Sequence, residues 1–412
     1  MLSKLNTAFY FISFFITILF FPIIFTFIKL INIFYQIRFT EILSNRYGHL
    51  ALNPEHYLVE KKIGKKDIKY LDLFCCSRYG ICNYELWKMW KKKIIIFPRF
   101  LIGPIITILS KIYKSNNPHT INNFTQQHRD LKFQWDLYNC SIDLTNKQKE
   151  ICKKILLNNN IKIEEIDFVC LFNRDDAYIN SIKDKKNHTH LNNFKHHNYK
   201  IKKFSLMANE LTKRNIYVFR MGSKVEEQFD EKNSKIIDYA NSKFRSELMD
   251  IFLASKCIYG ISCGTGSSGV ASLFRKPILS LNGNIYHIDT YNKVGVMLSK
   301  HYFCKIKKRN LTLEELMKFE HGHLDNGEQL ENEKIEVRDC TAEEIKDACL
   351  ELLERIQGNW KDTEQDINLQ KIFKEKYDNF KVDTNNGLRW HGDIIRCHYS
   401  SKFLVSNQDW LN

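Results

Sequence analysis

The chain has 412 residues, of which 44% are hydrophobic and 13% aromatic, enough apolar material for two domains with separate cores. This composition excludes an intrinsically disordered chain. There are 62 lysine and arginine residues against 47 aspartate and glutamate residues, so the net charge is +15 and the surface favours an anionic partner: a phosphate-bearing molecule, acidic lipid or nucleic acid.

The N-terminal region is apolar. No charge occurs among the 24 residues from Leu5 to Ile28, and about 20 apolar residues suffice for a membrane helix. No small-residue cleavage site follows, so we expect residues 1–37 to be a retained membrane anchor. Lys29, Arg38 and Arg46 follow it, which by the positive-inside rule predicts that the large domain is cytoplasmic. A helix that lies in the membrane interface is the alternative.

A second apolar stretch, "FLIGPIITILS" (residues 100–110), is too short to span a bilayer. We predict a buried core helix, with a second membrane-contacting surface as the alternative.

The cysteines and histidines indicate no metal site. The twelve cysteines include no C-x-x-C pair, which argues against a zinc ribbon or redox motif and favours reduced, cytosolic thiols. His188, His190, His196 and His197 lie in a Lys- and Asn-rich segment without helical spacing, and "HGH" at 321–323 is equally isolated. We therefore expect neither metal nor cofactor.

Strands and helices alternate after the anchor. We predict strands over 38–43, 67–74 and 94–97, helices over 50–62 and 83–93, and a closing helix over 147–157. Such alternation is typical of a parallel sheet covered by helices.

A second series begins with the unbroken apolar run "IDFVCLF" (166–172). Further strands are predicted at 216–220, 235–240, 257–262 and 277–282, with helices at 201–214, 246–256 and 269–274. Thr341 and Glu344 form a capping-box pattern at the start of a tail helix over 341–357. The predicted fold is α/β: two doubly wound, Rossmann-like lobes, 38–158 and 159–335, and a helical tail, 336–412, that packs across them.

The segment "SCGTGSSG" (262–269) is the strongest candidate for a ligand-binding loop. Its glycines allow close approach of the backbone to a ligand, the hydroxyls of Thr265, Ser267 and Ser268 can bind it, and the helix that follows favours an anion. It matches neither the Walker loop nor the dinucleotide fingerprint. We predict a phosphate cradle, with an ordinary turn as the alternative.

Charged residues follow two strands of the same lobe. Arg174, Asp175 and Asp176 come directly after the strand that ends at residue 172, and Arg220 ends the next strand. Arginine can grip a diphosphate bidentately, and a carboxylate can orient it or act as a base. A solvated loop with a local ion pair is the alternative.

In the first lobe, "SNRYGHL" places Arg46, Gly48 and His49 between the first strand and the first helix. A histidine there can serve as a general base. No recognisable nucleic-acid-binding module occurs, so nucleic acid is not an expected partner.

Five segments together resemble a family of bacterial glycosyltransferases associated with surface-polysaccharide gene clusters. They are "NRYGHLALNPEHYL", "FVCLFNRDDAY", "NIYVFRMGS", "IIDYANSKFRSELMDIFLASKCIYGISCGTGSSGVASLFRKPIL" and "SSKFLVSNQDWL". The resemblance implies a two-lobed GT-B fold with the nucleotide-sugar donor in the C-terminal lobe and the acceptor in the N-terminal lobe. The family's His-Val pair before Arg-Asp is Phe172-Asn173 here, and its Arg-Asn is His197-Asn198.

The resemblance implies that the donor diphosphate is bound by Arg174, Arg220 and the glycine loop. The loop residues are Gly264, Thr265, Gly266, Ser267, Ser268 and Gly269. Arg46 and His49 would face the acceptor, and His49 ranks above Asp175 as the base.

The sequence thus predicts a membrane-associated, metal-independent glycosyltransferase. Its partners would be a nucleotide-sugar donor, a glycan or lipid-linked acceptor, and membrane lipid. The alternatives are a non-catalytic module that binds glycans or lipids in a polysaccharide assembly complex, and a nucleotide-sugar epimerase on the same fold.

Overall fold

The computed structural model describes residues 2–64, 69–114, 116–121, 124, 130, 134–177, 180, 195–281, 294–318, 327–379 and 396–412. The chain divides into two compact units. Unit 1 comprises residues 1–129 and 138–143, and unit 2 comprises residues 130–137 and 144–412.

Unit 1 is built on a three-stranded parallel sheet of order β1-β2-β3. Its helices are α1 (Leu2–Ile31), α2 (Tyr47–Ile63), α3 (Tyr84–Trp90) and α4 (Arg99–Ile112), and its strands are β1 (Gln36–Ile42), β2 (Tyr70–Cys76) and β3 (Ile95–Ile96). All three predicted strands are present, and each helix between them connects parallel neighbours. The predicted α/β pattern of this region is confirmed.

Helices α1 and α4 share a hydrophobic cluster with the sheet. Ile28, Phe39, Cys75, Ile102 and Leu109 are buried in it. The opposite side of α4 is exposed, so the predicted core helix over residues 100–110 is buried on one side only. Among the described residues, the stretch long and apolar enough to cross a membrane is residues 9–31 of α1, and a signal sequence has the same length and composition.

Unit 2 contains a seven-stranded, all-parallel sheet of order β13-β9-β8-β7-β4-β5-β6. Its strands are β4 (Asp167–Phe172), β5 (Ile216–Arg220), β6 (Ile236–Ile237), β7 (Gly260–Ser262), β8 (Ile278–Ser280), β9 (Val296–Met297) and β13 (His398–Tyr399). The first helices of this unit are α5 (Asn146–Leu157), α6 (Ser205–Lys213), α7 (Glu247–Lys256) and α8 (Gly269–Leu273). Strand β4 lies between β7 and β5 and is buried on both faces, as its unbroken apolar run predicts.

A small antiparallel sheet of order β11-β10-β12 also belongs to unit 2. It consists of β10 (His301–Cys304), β11 (Arg309–Asn310) and β12 (Ile335–Arg338), and the remaining helices are α9 (Leu313–Met317), α10 (Gly327–Asn332), α11 (Ala342–Gln357), α12 (Glu364–Asn379) and α13 (Ser401–Ser406). No sequence pattern predicts this sheet, because its strands have two to four residues and little periodicity. The capping box of Thr341 and Glu344 is confirmed at the start of α11.

A buried carboxylate joins two parts of the C-terminal tail. Glu351 of α11 accepts hydrogen bonds from the backbone nitrogen of Ser401 at 2.7 Å and from its hydroxyl at 3.0 Å, and Arg355 lies 3.0 Å away. Burial raises the pKa of Glu351, and the neighbouring arginine opposes that rise. The helix we expected to close the first lobe, α5, is part of unit 2, where it packs against α7.

Gly260 sets how closely β7 approaches its neighbours. A Cβ atom at this position would lie 2.9 Å from Cδ1 of Ile278 and 3.2 Å from Cε2 of Phe172. We expect Gly260→Ala to lower the free energy of unfolding by about 1–3 kcal/mol, because the packed sheet has no room for a methyl group. Chemical denaturation measures the effect.

The matched variant is Ile278→Val, which removes the Cδ1 atom that the new methyl group would strike. In the double variant the loss of stability should be smaller than the sum of the two single losses. If the two losses of stability simply add, contact with Ile278 Cδ1 is not the reason why alanine destabilises position 260.

The imidazole of His398, in β13, is sensitive to acid. Burial lowers its pKa from 6.5 to about 4, and the positive charges of Arg355 and Lys374 add to the effect. The unfolded chain therefore binds the proton first, and stability is lost as the pH falls from about 6.5 towards about 4. In His398→Asn, we expect a smaller drop in melting temperature between about pH 7 and about pH 4.5 than in the parent. Equal drops would contradict this assignment.

Candidate functional site

Four adjacent strands of unit 2 end at one edge of the sheet. In the order β8-β7-β4-β5 they end at Ser280, Ser262, Phe172 and Arg220. Because the strands are parallel, the loops that follow them converge there, and the carboxyl edge is where open α/β sheets bind ligands. The loops after β7, β4 and β5 carry the predicted donor-binding residues of this unit.

The glycine loop after β7 is braced by two buried serines. The Ser262 hydroxyl donates to the Ser268 hydroxyl at 2.8 Å, and Ser268 donates to the Thr265 carbonyl at 2.7 Å. The Gly264 nitrogen donates to the Ser262 hydroxyl at 3.2 Å, and Gly264 has a φ of 71°, in the left-handed region that suits glycine. Ser268, expected to bind ligand, thus uses its hydroxyl inside the loop.

The outer side of the loop carries the groups that remain accessible. Gly266 is exposed, and Thr265 and Ser267 are half-buried with their hydroxyl oxygens 3.0 Å apart. Gly269 is buried at the start of α8. The loop therefore presents two adjacent hydroxyls and an open stretch of backbone, which is suitable for an oxygen-rich ligand.

Arg174 reaches the same loop from β4. Its Nη1 atom donates to the Gly264 carbonyl at 3.2 Å. Its backbone is held as well, since the Arg174 carbonyl accepts from the Tyr199 nitrogen at 3.1 Å. The neighbouring Asn173 amide donates to the Tyr199 carbonyl at 3.1 Å. The structure thus brings together the two features that the sequence analysis paired, Arg174 and the glycine loop.

Arg220 is placed differently from the sequence expectation. Its side chain is only 1% exposed and lies between two carboxylates, 3.1 Å from Asp238 Oδ1 and 3.6 Å from Asp175 Oδ2. Asp175 also accepts from the backbone nitrogens of Ala177 and Glu226, both at 3.1 Å. Arg220, at the end of β5, therefore joins the loop after β4 to the segment after β6, and its guanidinium faces protein carboxylates.

A buried lysine, Lys300, binds the segment that holds the backbone of Arg174. The Lys300 ammonium donates to the carbonyls of His196 and Asn198 and to Asp339, each at 2.7 Å, and lies 3.9 Å from the centre of the Tyr199 ring. Burial lowers the pKa of Lys300, and the ion pair with Asp339 opposes this. No sequence pattern predicts a buried position for Lys300, because a single lysine before a short strand is normally solvated.

The predicted acceptor residues lie in unit 1 at the carboxyl end of β1. Arg46 is exposed at the N-cap of α2, and His49 is in the first turn of that helix rather than in the loop. The His49 Nδ1 atom is 3.0 Å from Asn53 Oδ1. The Asn53 amide nitrogen donates to the Phe124 carbonyl, which fixes the orientation of the amide.

The histidine segment is described only in part. His188 and His190, like residues 321–323, lie outside the described residues. His196 and His197 form a short 3-10 turn with ring centroids 4.2 Å apart. Within the described ranges, no group of three or more His, Cys, Asp or Glu residues is arranged to hold a metal ion.

No protein-family model matches the chain, and no curated protein matches it. Among solved structures, the chain is similar to the glycosyl transferase family 9 protein from Veillonella parvula DSM 2008, with a TM-score of 0.38, 8% identity, and coverage of 63% of this chain and 84% of that chain. It is also similar to E. coli ADP-heptose lps heptosyltransferase II, with a TM-score of 0.35, 8% identity, and coverage of 59% and 84%. Both neighbours are glycosyltransferases.

The buried position of Arg220 predicts a large effect on stability. Arg220→Met leaves Asp175 and Asp238 without their shared counter-charge, so we expect the free energy of unfolding to fall by about 3–5 kcal/mol in chemical denaturation. Lys213→Met removes an exposed ion pair with Glu210 and should cost less than about 1 kcal/mol. Similar costs for the two variants would refute the structural role of Arg220.

Proposed function

We propose that the protein is a membrane-associated glycosyltransferase. It transfers a sugar from a nucleotide-sugar donor to a glycan or lipid-linked acceptor in cell-surface glycan biosynthesis. In this proposal the fold is of the GT-B type that the sequence resembles. In this proposal unit 2 carries the donor-binding residues and unit 1 the acceptor-binding residues.

The observation that carries the proposal is the meeting of Arg174 with the glycine loop. Arg174 supplies a fixed positive charge, and Thr265, Gly266 and Ser267 supply adjacent hydroxyl and backbone groups beside it. A nucleoside diphosphate has the matching chemistry, because its negatively charged oxygens accept several hydrogen bonds at once. The accessible part of the loop is therefore the diphosphate cradle.

The proposed transfer needs no metal ion. When the bond between the anomeric carbon and the donor phosphate breaks, the electron pair leaves with the nucleoside diphosphate, whose charge increases. Arg174 and the backbone N–H groups of the loop stabilise that charge where it develops. Lys300 and Arg220 are positioning residues in this proposal, because they hold the loops around Arg174 without facing the donor.

His49 remains the preferred base for the acceptor hydroxyl. Since Asn53 Oδ1 is an acceptor, His49 Nδ1 carries the proton and Nε2 is the basic nitrogen. Nε2 would take the proton of the acceptor hydroxyl as its oxygen attacks the anomeric carbon, with Arg46 binding acidic groups of the acceptor. The Asp175 carboxylate already binds Arg220 and two backbone amides, which makes it the weaker candidate.

The cellular location is part of the proposal. The basic residues that follow α1 favour a domain on the cytoplasmic face of the inner membrane. Reduced thiols are typical of the cytosol, which agrees with twelve cysteines that include no C-x-x-C pair.

The test is a thermal-shift panel with UDP-, GDP-, ADP-, CMP- and dTDP-sugars on the full chain in detergent. We expect stabilisation by one nucleotide class. Arg174→Ala removes a charge-assisted contact and should weaken binding about tenfold to a hundredfold, whereas Ser267→Ala, which removes one hydroxyl, should weaken it less.

The matched controls are Arg338→Ala, an exposed arginine of β12, and Ser406→Ala, an exposed serine of α13. Both should retain the parent shift. No shift with any nucleotide sugar, together with retained glycan binding, would favour the non-catalytic module. Conversion of the donor to an isomer without an acceptor would favour the epimerase.

A further inference from the structure

Between Tyr10 and Ile28, one stripe of helix α1 packs against the rest of unit 1. The side chains that face the protein repeat every three or four residues, as one stripe of a helix does. They are Tyr10, Ser13, Phe14, Thr17, Phe21, Ile24, Phe25 and Ile28. At about 1.5 Å per residue this stripe extends over about 27 Å, close to the roughly 30 Å of a bilayer hydrocarbon core.

Helix α4 is the main partner of the first half of this stripe. The Tyr10 hydroxyl is 3.2 Å from Thr107 Oγ1, and the Ser13 hydroxyl donates to the Phe100 carbonyl. A Cβ atom on Gly103 would be 3.0 Å from the Tyr10 ring, so the two helices are in close contact. The polar side chains of this part of α1 are thus directed at the protein.

The second half of the stripe packs on the sheet itself. Phe21, Ile24 and Phe25 contact the cluster that contains Ile37 and Phe39 of β1. A transmembrane α1 would therefore bring β1 and β2 to the depth of the acyl chains. An open sheet cannot be accommodated there, because its edge groups have no partner in lipid.

Charged residues lie at both ends of the stripe. Arg99 begins α4, lies 5.3 Å from the Tyr10 ring centre and pairs with Glu41 of β1. The opposite ends of the two helices meet in one cluster and carry the exposed lysines Lys29 and Lys111. Charged groups thus border the stripe at both ends, as they do for a surface helix and for a spanning one, so the packing of α1 on the sheet is what favours a helix parallel to the membrane plane.

Between Phe9 and Phe27 the outward face of α1 is apolar except for Thr26. Phe15 is 69% exposed and Leu19 is 74% exposed, and Phe100 and Leu101 of the adjoining α4 are each nearly half exposed. Neither helix contains an aspartate or glutamate. An apolar face bordered by lysines and free of acidic residues is complementary to an anionic lipid surface.

We propose that α1 and α4 together form a monotopic membrane seat: α1 lies in the plane of the bilayer surface, with its outward face in the acyl region, and does not cross the membrane. The proposal rests on packing in unit 1 and is independent of the proposed glycosyl transfer.

The topology test uses the full chain with an N-terminal and a C-terminal epitope, bound to vesicles of phosphatidylethanolamine and phosphatidylglycerol. Protease is added outside the vesicles. In the monotopic arrangement the two epitopes lie on the same side, so molecules that lose the C-terminal epitope also lose the N-terminal one. Retention of the N-terminal epitope by those molecules would show that α1 spans the bilayer and would overturn the proposal.

The surface test compares single substitutions by vesicle sedimentation. Leu19→Glu on α1 and Phe100→Glu on α4 should each lower the bound-to-free ratio by about tenfold, while Leu157→Glu, on an exposed leucine of α5 in unit 2, should leave it unchanged. Circular dichroism verifies that all three fold. Unchanged binding of Phe100→Glu would exclude α4 from the seat, and self-association of the parent without vesicle binding would assign the face to a second copy of the chain.

Discussion

The burial of Arg220 is the constraint on which the carboxyl edge of unit 2 depends. A guanidinium that is 1% exposed loses its hydration, and this cost is tolerable only where carboxylates replace the water. Asp175 comes from the loop after β4 and Asp238 from the segment after β6, so one buried charge fixes two segments relative to β5. The backbone next to Asp175 is that of Arg174, so the position of the proposed diphosphate ligand follows from this ion pair.

A second buried cation completes the support. Lys300 binds the carbonyls of His196 and Asn198, and Tyr199, the next residue, binds the backbone of Arg174. Tyr199 is also held by its hydroxyl, which donates to the Leu281 carbonyl at the end of β8. The backbone of Arg174 is thus held through Tyr199, while its side chain binds the Gly264 carbonyl. In the proposed function these contacts supply the preorganisation that binding a diphosphate requires.

Much of this arrangement can be read from the sequence, and the reason is the parallel sheet. Apolar runs that end in Arg174 or in the glycine loop mark strand ends, and strand ends of a parallel sheet must meet. The sequence could not tell which of the two arginines is enclosed by carboxylates, because both lie at the end of an apolar strand and the carboxylates around Arg220 come from other loops. Lys300 and the short strands β10 to β12 were missed for a related reason, since both depend on tertiary partners distant in the chain.

The positively charged residues fall into two groups, buried and accessible. Arg220 and Lys300 are enclosed by protein oxygens and contribute to architecture, so they cannot act on an external anion. Arg174 beside its loop and the lysines at the ends of α1 and α4 remain accessible, and they differ in what lies next to them. In the two proposals, hydroxyls and open backbone beside Arg174 favour a compact anion with several oxygens, whereas exposed Phe27 and Leu30 beside Lys29 and exposed Ile112 beside Lys111 favour the surface of an anionic bilayer. The positively charged residues therefore have three different roles: structural support, the proposed anion site and the proposed membrane surface. The groups around each side chain, rather than its charge, distinguish these roles.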